Sequence, residues 1–389
     1  MRISEIIHHK VAVPFREEEV WSFGRRAYLE TILLELRTDE GLIGLGEAAG
    51  YPSTAVVEAA IESLKPLVLG EDPVQIEGML KRMYILGTWH HVKGSNPAIG
   101  GLEMACWDIV GKICQQPIAN LFGGRVRDEV EYFYYLSQKS PHEMAADALL
   151  GLAAKFNCFY IKVGSGDLAL DVARVMAVRE AVGPEAHIRV DANEAWSTAG
   201  ALRALRLLEP ANLELAEQPV LGSNLEEMAY LRGRISMPLL ANEASWTRYS
   251  QLEVIKRSAA DVISLDNQMD GGLLNLKRSA GLCEVAGLPV LKHSLGELGV
   301  ATYAAAHVIS TCSNFLYANQ SYASFLVDDV LEGVTTLPYA NGKLAVPTGD
   351  GIGVEIDREK LERYEENYAR MEDSVGPTAM SFSAVWPRL

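Results

Sequence analysis

Nothing in this sequence reads as a disulfide framework or a thiolate metal site: its five cysteines, Cys106, Cys114, Cys158, Cys283 and Cys312, are widely spaced and include no C-x-x-C pair. Buried, reduced thiols are the expectation. No apolar stretch approaches the roughly 18 uninterrupted residues of a membrane span. The opening MRISEIIHHKVAVPF also lacks the apolar core and small-residue cleavage site of a secretory leader. A cytoplasmic location is therefore expected. Basic residues are outnumbered, 35 Lys and Arg against 51 Asp and Glu, giving a formal charge of −16 and a pI near 5.0. Such a surface repels nucleic acid and anionic membrane, so neither is expected as a partner. What is present, 389 residues of which 49% are hydrophobic and 22% charged, suffices for a large core and two domains.

The pattern along the chain divides in two. ISEIIHHKVAV and ETILLELRTDEGLIGLGEA read as strands, with a D-E-G turn in the second stretch, and helical periodicity follows over 54–70, 73–86 and 97–115. This predicts an α+β module over residues 1–125. Beyond Gly124, short apolar runs alternate with amphipathic helical stretches, the signature of repeated βα units. The runs begin near Glu131, Cys158, His187, Leu213, Pro238, Asp261, Leu288 and Asn314, at intervals of 23 to 29 residues. Eight evenly spaced units predict a closed α/β barrel of the (β/α)8 TIM type over 126–341, rather than a doubly wound sheet. The last segment, 342–389, contains KLAVPTGDGIGVEID, whose turns precede a strand and short helix expected to return to the first module. The tail beyond Val375 reads as irregular.

Barrel enzymes keep their chemistry at the C-terminal ends of the strands, and here nearly every run ends on polar residues. Tyr160 and Lys162 close the second run, Asp191 and Asn193 the third, Glu217 the fourth, Asn242 and Glu243 the fifth, Asp266 the sixth and His293 the seventh. Any one alone would pass as a helix N-cap or a solvated loop residue. Asp191, Glu217 and Glu243 stand 26 residues apart, one per consecutive strand, so they should converge on one rim. Two like charges about 4 Å apart repel by roughly 4 kcal/mol at an effective dielectric of 20, which calls for a cation or for protonation. All-oxygen ligation with open positions suits Mg²⁺, with Mn²⁺ the alternative, whereas zinc would ask for histidine or cysteine. Lys162 is a candidate base if burial or the metal lowers its pKa, and Asp266 is spaced to orient His293 as a second acid/base. A snorkelling lysine and a satisfied core histidine are the plain alternatives. A carboxylate held by a metal between two acid/base groups is machinery for removing an α-proton through an enediolate.

These residues resemble the mandelate racemase/muconate-lactonising branch of the enolase superfamily, and within it the mandelate racemase-like, acid-sugar dehydratase type. The likeness spans roughly 2–370 and rests on AIGGLEMACWDIVGK (98–112), YIKVG, VDANEAW, AEQP, ANEAS, the D-x-x-x-x-G-G of Asp266 to Gly272, and KHS. It implies a capping domain closing over a modified barrel, an essential Mg²⁺, homo-oligomers from dimers to octamers and a small-molecule carboxylate substrate. It assigns Asp191 and Glu217 to the metal, Lys162 as one acid/base, and His293 with Asp266 as the other. Three positions depart from the family pattern. Lys-x-Lys is replaced by Tyr160-Ile161-Lys162, so Tyr160 would donate a hydrogen bond or join in proton transfer. Asn242-Glu243 stands for Asp-Glu or Gly-Glu, leaving the third ligand open between Glu243, which keeps the 26-residue step, and Asn242, whose amide oxygen also ligates. After strand eight the expected glutamate gives way to the neutral Asn319-Gln320, which argues against simple mandelate-type racemisation.

Dehydration of a sugar acid to a 2-keto-3-deoxy acid is therefore the expected activity. A racemase, epimerase or cycloisomerase shares the enediolate and is the alternative within the family. A non-catalytic binding or scaffold protein with a decayed site is the alternative outside it. Specificity is expected from the capping domain, through Trp21, Arg25 and Arg26, Tyr51, and the cluster Trp89-His90-His91-Val92-Lys93. Asn193 and Asn319 complete the expected substrate contacts.

Overall fold

The computed structural model describes residues 1–87, 92–375 and 381–382, so Trp89, His90 and His91 lie outside the described residues. The opening alternation folds as β1 (Ile3–Val20), paired antiparallel with β2 (Gly24–Thr38), which pairs in turn with β3 (Ile43–Ala49). The long apolar run in β2 is explained by burial on both sides. Ile32, Leu34 and Leu36 pack with α1 (Thr54–Val68), α2 (Ile76–Gly87) and α3 (Val92–Cys114), whereas Leu29 and Leu33 belong to the core shared with the barrel. Helix α3 begins at Val92 rather than 97 and carries Pro97 inside it, without the helical bond that an N–H there would make. It lies directly on β3: a Cβ at Gly46 would stand 2.1 Å from the Gly101 carbonyl oxygen.

After α4 (Ile118–Leu121) and β4 (Glu129–Glu131), seven parallel strands curl in chain order. They are β5 (Tyr134–Leu136), β6 (Cys158–Lys162), β7 (His187–Asp191), β8 (Leu215–Glu217), β9 (Leu239–Ala241), β10 (Val262–Leu265) and β11 (Val290–Lys292). Each is followed by a helix: α5 (Pro141–Ala153), α6 (Leu168–Val182), α7 (Thr198–Leu208), α8 (Leu225–Arg232), α9 (Arg248–Lys256), α10 (Leu273–Val285) and α11 (Gly299–Ile309). Local sequence explains their starts and faces. Ser140-Pro141-His142-Glu143 opens α5 with a reciprocal cap: the serine hydroxyl accepts from the Glu143 amide at 3.3 Å, and the Glu143 carboxylate accepts from the Ser140 amide at 3.0 Å. Helix α7 buries Ala201, Ala204, Leu205 and Leu208, a stripe of helical period. Inside the barrel, Leu215, Leu240, Val262 and Leu291 form one apolar layer.

The eighth run forms no regular strand. Residues 314–319 close the barrel through single bridges, Phe315 to Val290 and Asn319 to Tyr132. Side chains stand in for the missing ladder. The Asn319 amide group accepts from the Lys292 backbone N–H at 2.8 Å and donates to the Glu131 carbonyl at 2.9 Å, while buried Arg189 donates to the Ala318 carbonyl at 2.6 Å. Asn319 is thus a staple in the barrel wall, not the substrate contact expected from the sequence. Further on, β12 (Lys343–Ala345) pairs with β4, and α12 (Arg358–Val375) packs along β1. Within the tail expected to be irregular, β13 (Ser381–Phe382) pairs with β2.

Two carboxylates join the capping module to the barrel. Glu47, wholly buried in β3, accepts from the Leu298 and Ala301 amides at 2.6 and 2.9 Å. Glu103 of α3 accepts from the Leu273 and Leu274 amides at 2.7 and 2.9 Å. Each satisfies free N–H groups at the start of a barrel helix, α11 and α10 respectively, and meets the positive end of its dipole. Gly272 makes room for Glu103: its φ is 128°, and a Cβ there would lie 2.7 Å from the carboxyl carbon. No helix among the described residues is long and apolar enough to cross a membrane.

His307, enclosed in α11, accepts from the Ala119 amide at 3.4 Å through Nδ1 and donates from Nε2 to the Ile352 carbonyl at 3.0 Å. Burial pushes its pKa down to about 4. The unfolded chain takes up this proton near 6.5 and the folded one only near 4, so the stability is full above pH 6.5 and drains as pH falls between the two values. The loss is on the order of 3 kcal/mol. A His307→Gln variant is expected to show a smaller fall in urea midpoint from pH 6.5 to 4 than the parent protein.

Candidate active site

At the barrel mouth, β6, β7 and β8 end level with one another: Lys162 pairs in register with Asp191, and Asp191 with Glu217. Alternation along β6 sends Tyr160 and Lys162 to the same side. The Tyr160 hydroxyl donates to Asp191 Oδ2; the Lys162 ammonium donates to that same oxygen at 2.6 Å and to Asn193 Oδ1 at 2.9 Å. Asn193 ties the set together, its backbone N–H donating to Asp191 Oδ1 at 2.8 Å and its side chain to Glu243 Oε1 at 2.9 Å. Burial alone would lower the Lys162 pKa, but Asp191, Tyr322 and Glu217 together outweigh it and hold the lysine above its ordinary value, as a cation. Glu217 is forced well above the carboxylate range by burial and then by Asp191, and Glu243 is pushed up to about 8 by the same two causes. The Tyr160 ring is fixed by stacking on Phe133, with centroids 4.4 Å apart.

On the other flank, His293 Nδ1 lies 3.1 Å from Asp266 Oδ2, and the second oxygen of this buried aspartate accepts from the Gln268 amide at 2.7 Å. With Nδ1 engaged, Nε2 is the nitrogen left for chemistry. Sequence reading passed over Lys292, although a lysine inside an apolar run was a usable signal. It is wholly buried, its ammonium donates to the His293 carbonyl at 2.7 Å, and it pairs with Glu297. The other Glu297 oxygen accepts from the Ser294 hydroxyl at 2.7 Å. This ion pair holds the backbone that carries His293.

Above these groups lies a cavity of about 240 Å³, whose wall includes Lys162, Asn193, Asn242, Glu243 and His293 from the barrel, and Trp21, Arg26 and Tyr51 from the capping module. Arg25 is not part of it. Strand alternation turns that side chain outward, 62% exposed and 3.8 Å from Glu18, and brings Arg26 inward.

Among the described residues, no three acidic, histidine or cysteine side chains are gathered tightly enough to hold an ion. Lys162 occupies Asp191, and carboxylates without a counter-ion stay apart. Three buried oxygens nevertheless have no hydrogen-bond partner: Glu217 Oε1, Asn242 Oδ1 and Glu243 Oε2. Buried acceptors seldom stay unpaired. An oxygen-only donor set with unsatisfied oxygens fits Mg²⁺ or Mn²⁺ and not zinc. Asn242 and Glu243 each contribute one such oxygen, so both alternatives for the third ligand stand.

Fold and site together are those of a capped (β/α) barrel with acid/base side chains at its strand ends. Residues 4–123 match the family model for the mandelate racemase/muconate lactonizing enzyme N-terminal domain, and 143–360 that for enolase C-terminal domain-like proteins. The chain is 32% identical over 315 residues to N-succinyl-L-Arg/Lys racemase of Bacillus cereus, covering 79% of this chain and 84% of the relative. It is 29% identical over 342 residues to arabinonate dehydratase of Saccharolobus solfataricus, covering 86% and 91%. A solved dipeptide epimerase of Enterococcus faecalis, complexed with Mg and the dipeptide L-Leu-L-Tyr, has a TM-score of 0.85 at 26% identity, covering 91% of this chain and 100% of that one. The chain belongs to the mandelate racemase/muconate lactonizing enzyme branch of the enolase superfamily. Its relatives are enzymes that carry out different reactions.

Removing one partner of a buried ion pair strands the other. Lys292→Met is therefore expected to lower stability by about 3–5 kcal/mol, and adding Glu297→Met to recover most of that loss, as read by thermal unfolding of the two variants.

Proposed function

We propose that the protein is a Mg²⁺-dependent lyase that dehydrates a sugar acid to a 2-keto-3-deoxy acid. The main support is that Lys162 and the His293–Asp266 dyad open into one cavity from β6 and β11, on either flank of the acidic ends of β7 to β9. Residues 1–125 act as the lid, 126–341 as the barrel and 342–389 as the segment returning to the lid. Asp191, Glu217 and either Glu243 or Asn242 would hold the ion, which when bound neutralises the charge that develops on the substrate carboxylate.

One of Lys162 and His293 takes the α-proton, and the electrons of the broken C–H bond form the enediolate. The other, protonated, gives its proton to the β-hydroxyl as the C–O bond breaks and water leaves. The resulting enol takes up a proton at C3 to give the keto acid. Asp266 keeps the imidazole in one tautomer and orientation. Asn193 steadies Lys162, and Tyr160 supports Asp191 through its hydroxyl. With Asn319 in the barrel wall and Gln320 accepting from the Ser294 amide at 3.2 Å, the eighth segment brings no carboxylate to the cavity, which favours dehydration over mandelate-type racemisation. The two-sided pair of acid/base groups also suits racemisation or epimerisation, in which the second group returns the proton to the opposite face.

Incubation with Mg²⁺ and a library of aldarates and aldonates is expected to yield a keto acid that reacts with semicarbazide. Solvent deuterium entering substrate without a keto product would assign a racemase or epimerase instead. Neither result with any acid would leave a scaffold protein. Lys162→Ala and His293→Asn are each expected to cost about 10²- to 10⁴-fold in turnover while Mg²⁺ still binds. Glu217→Ala is expected to lose the metal, as read by calorimetric titration with Mg²⁺.

A further inference from the structure

Among the described residues, three lysine and arginine side chains line the cavity, and one of them, Arg26, is both largely buried and supplied by the lid. Lys162 belongs to the barrel. Lys93 is exposed, with its ammonium 4.8 Å from the centroid of the Trp246 ring. Arg26, 13% exposed, donates through Nε to Glu19 Oε2 at 2.5 Å and lies against the rings of Phe15 and Tyr322, 5.3 and 5.1 Å from their centroids. Glu19 is itself held fast, because its other oxygen accepts from the hydroxyls of Tyr135 at 2.5 Å and Tyr322 at 2.9 Å. Burial would raise the Glu19 pKa, but Arg26 and Tyr135 outweigh it, so the carboxylate stays ionised. The guanidinium is thereby locked in one orientation.

The lock uses only one of its three nitrogens. Nη1 and Nη2 of Arg26 have no acceptor among the described residues, and they belong to a side chain that lines the cavity. A free guanidinium edge is a two-pronged donor matched to the two oxygens of a carboxylate, whereas a single hydroxyl satisfies only one prong. Trp21, Phe23 and Tyr51 share the wall, so those donors face the space that a substrate would fill.

We infer that Arg26 anchors a second carboxylate of the substrate, remote from the one that reacts, so that the substrate is a dicarboxylate: an aldaric rather than an aldonic acid. The word aldaric rests on the dehydration reading; the second carboxylate rests on Arg26 alone.

Matched pairs that differ only at the terminal carbon, such as D-glucarate with D-gluconate and galactarate with D-galactonate, separate the possibilities. Binding is read by titration calorimetry in the presence of Mg²⁺, and turnover by the semicarbazide assay. The diacid of at least one pair is expected to bind about 10- to 100-fold tighter than its monoacid. Arg26→Lys, which keeps the charge but loses the fork, is expected to bring that ratio close to parity. The double variant Arg26→Gln, Glu19→Gln, which leaves no unpaired acid in the core, is expected to do the same, and Lys93→Met to preserve the preference. Parity in the parent protein, absence of binding by every diacid, or a preference that disappears with Lys93 and not with Arg26 would each overturn the assignment. Diacids that bind through Arg26 without forming a keto acid would uphold the anchor and sink the dehydration. Aldonates dehydrated as readily as aldarates would do the reverse.

Discussion

Gathering carboxylates in a buried barrel mouth is unfavourable, and most of what surrounds the site answers that repulsion. Asp191 is met by an ammonium, a phenol and a backbone N–H, Glu243 by the Asn193 side chain, and Glu217 is pressed toward its protonated form. Consecutive residues Asn193 and Glu194 adopt left-handed backbone, with φ of 44° and 63°, to complete this network. Such strain persists only where the surroundings over-determine it. Here the Glu194 carboxylate is pinned by the Gly222 amide at 2.6 Å and Asn193 by three groups of the cluster. A core selected for stability alone would fill these places with apolar side chains. That the chain instead holds unsatisfied oxygens there is the physical mark of a site built for a charged visitor.

The two acid/base groups are supported by different means. Lys162 is placed by side chains of the acidic cluster itself, so anything that engages Asp191 also acts on the lysine. His293 stands outside the cluster and is positioned from both ends, its ring by Asp266 and its backbone by the Lys292–Glu297 pair beneath the loop. The flank that answers to the cluster and the flank that does not are thus separately adjustable.

Much of this was legible in the sequence because it follows from local rules. Parallel βα units repeat at a nearly fixed interval, and side chains alternate along a strand, so the polar residues ending each run could be placed at one rim without coordinates. What escaped depended on phase or on distant partners. Whether Arg25 or Arg26 faces inward is a one-residue question of register, set by pairing with Val20 and Glu19 across the hairpin. Asn319 reads as a strand-end polar residue like the others, yet its amide group is consumed in closing the barrel, because the eighth segment lacks a regular ladder. Glu47 and Glu103 look unremarkable within EAA and GLEMA; their meaning arises only when helix starts from the barrel arrive against them.

Those two glutamates carry a consequence for how such a protein changes over generations. The groups they hold are backbone N–H groups at the starts of α10 and α11, not side chains. Gly272 apart, a joint of that kind is indifferent to which amino acids occupy the barrel side, provided the helices begin where they do. Substitutions can therefore accumulate on the inner face of the lid and on the rim of the barrel without loosening the seam between them. New substrate preferences become reachable by small steps, each leaving the architecture intact.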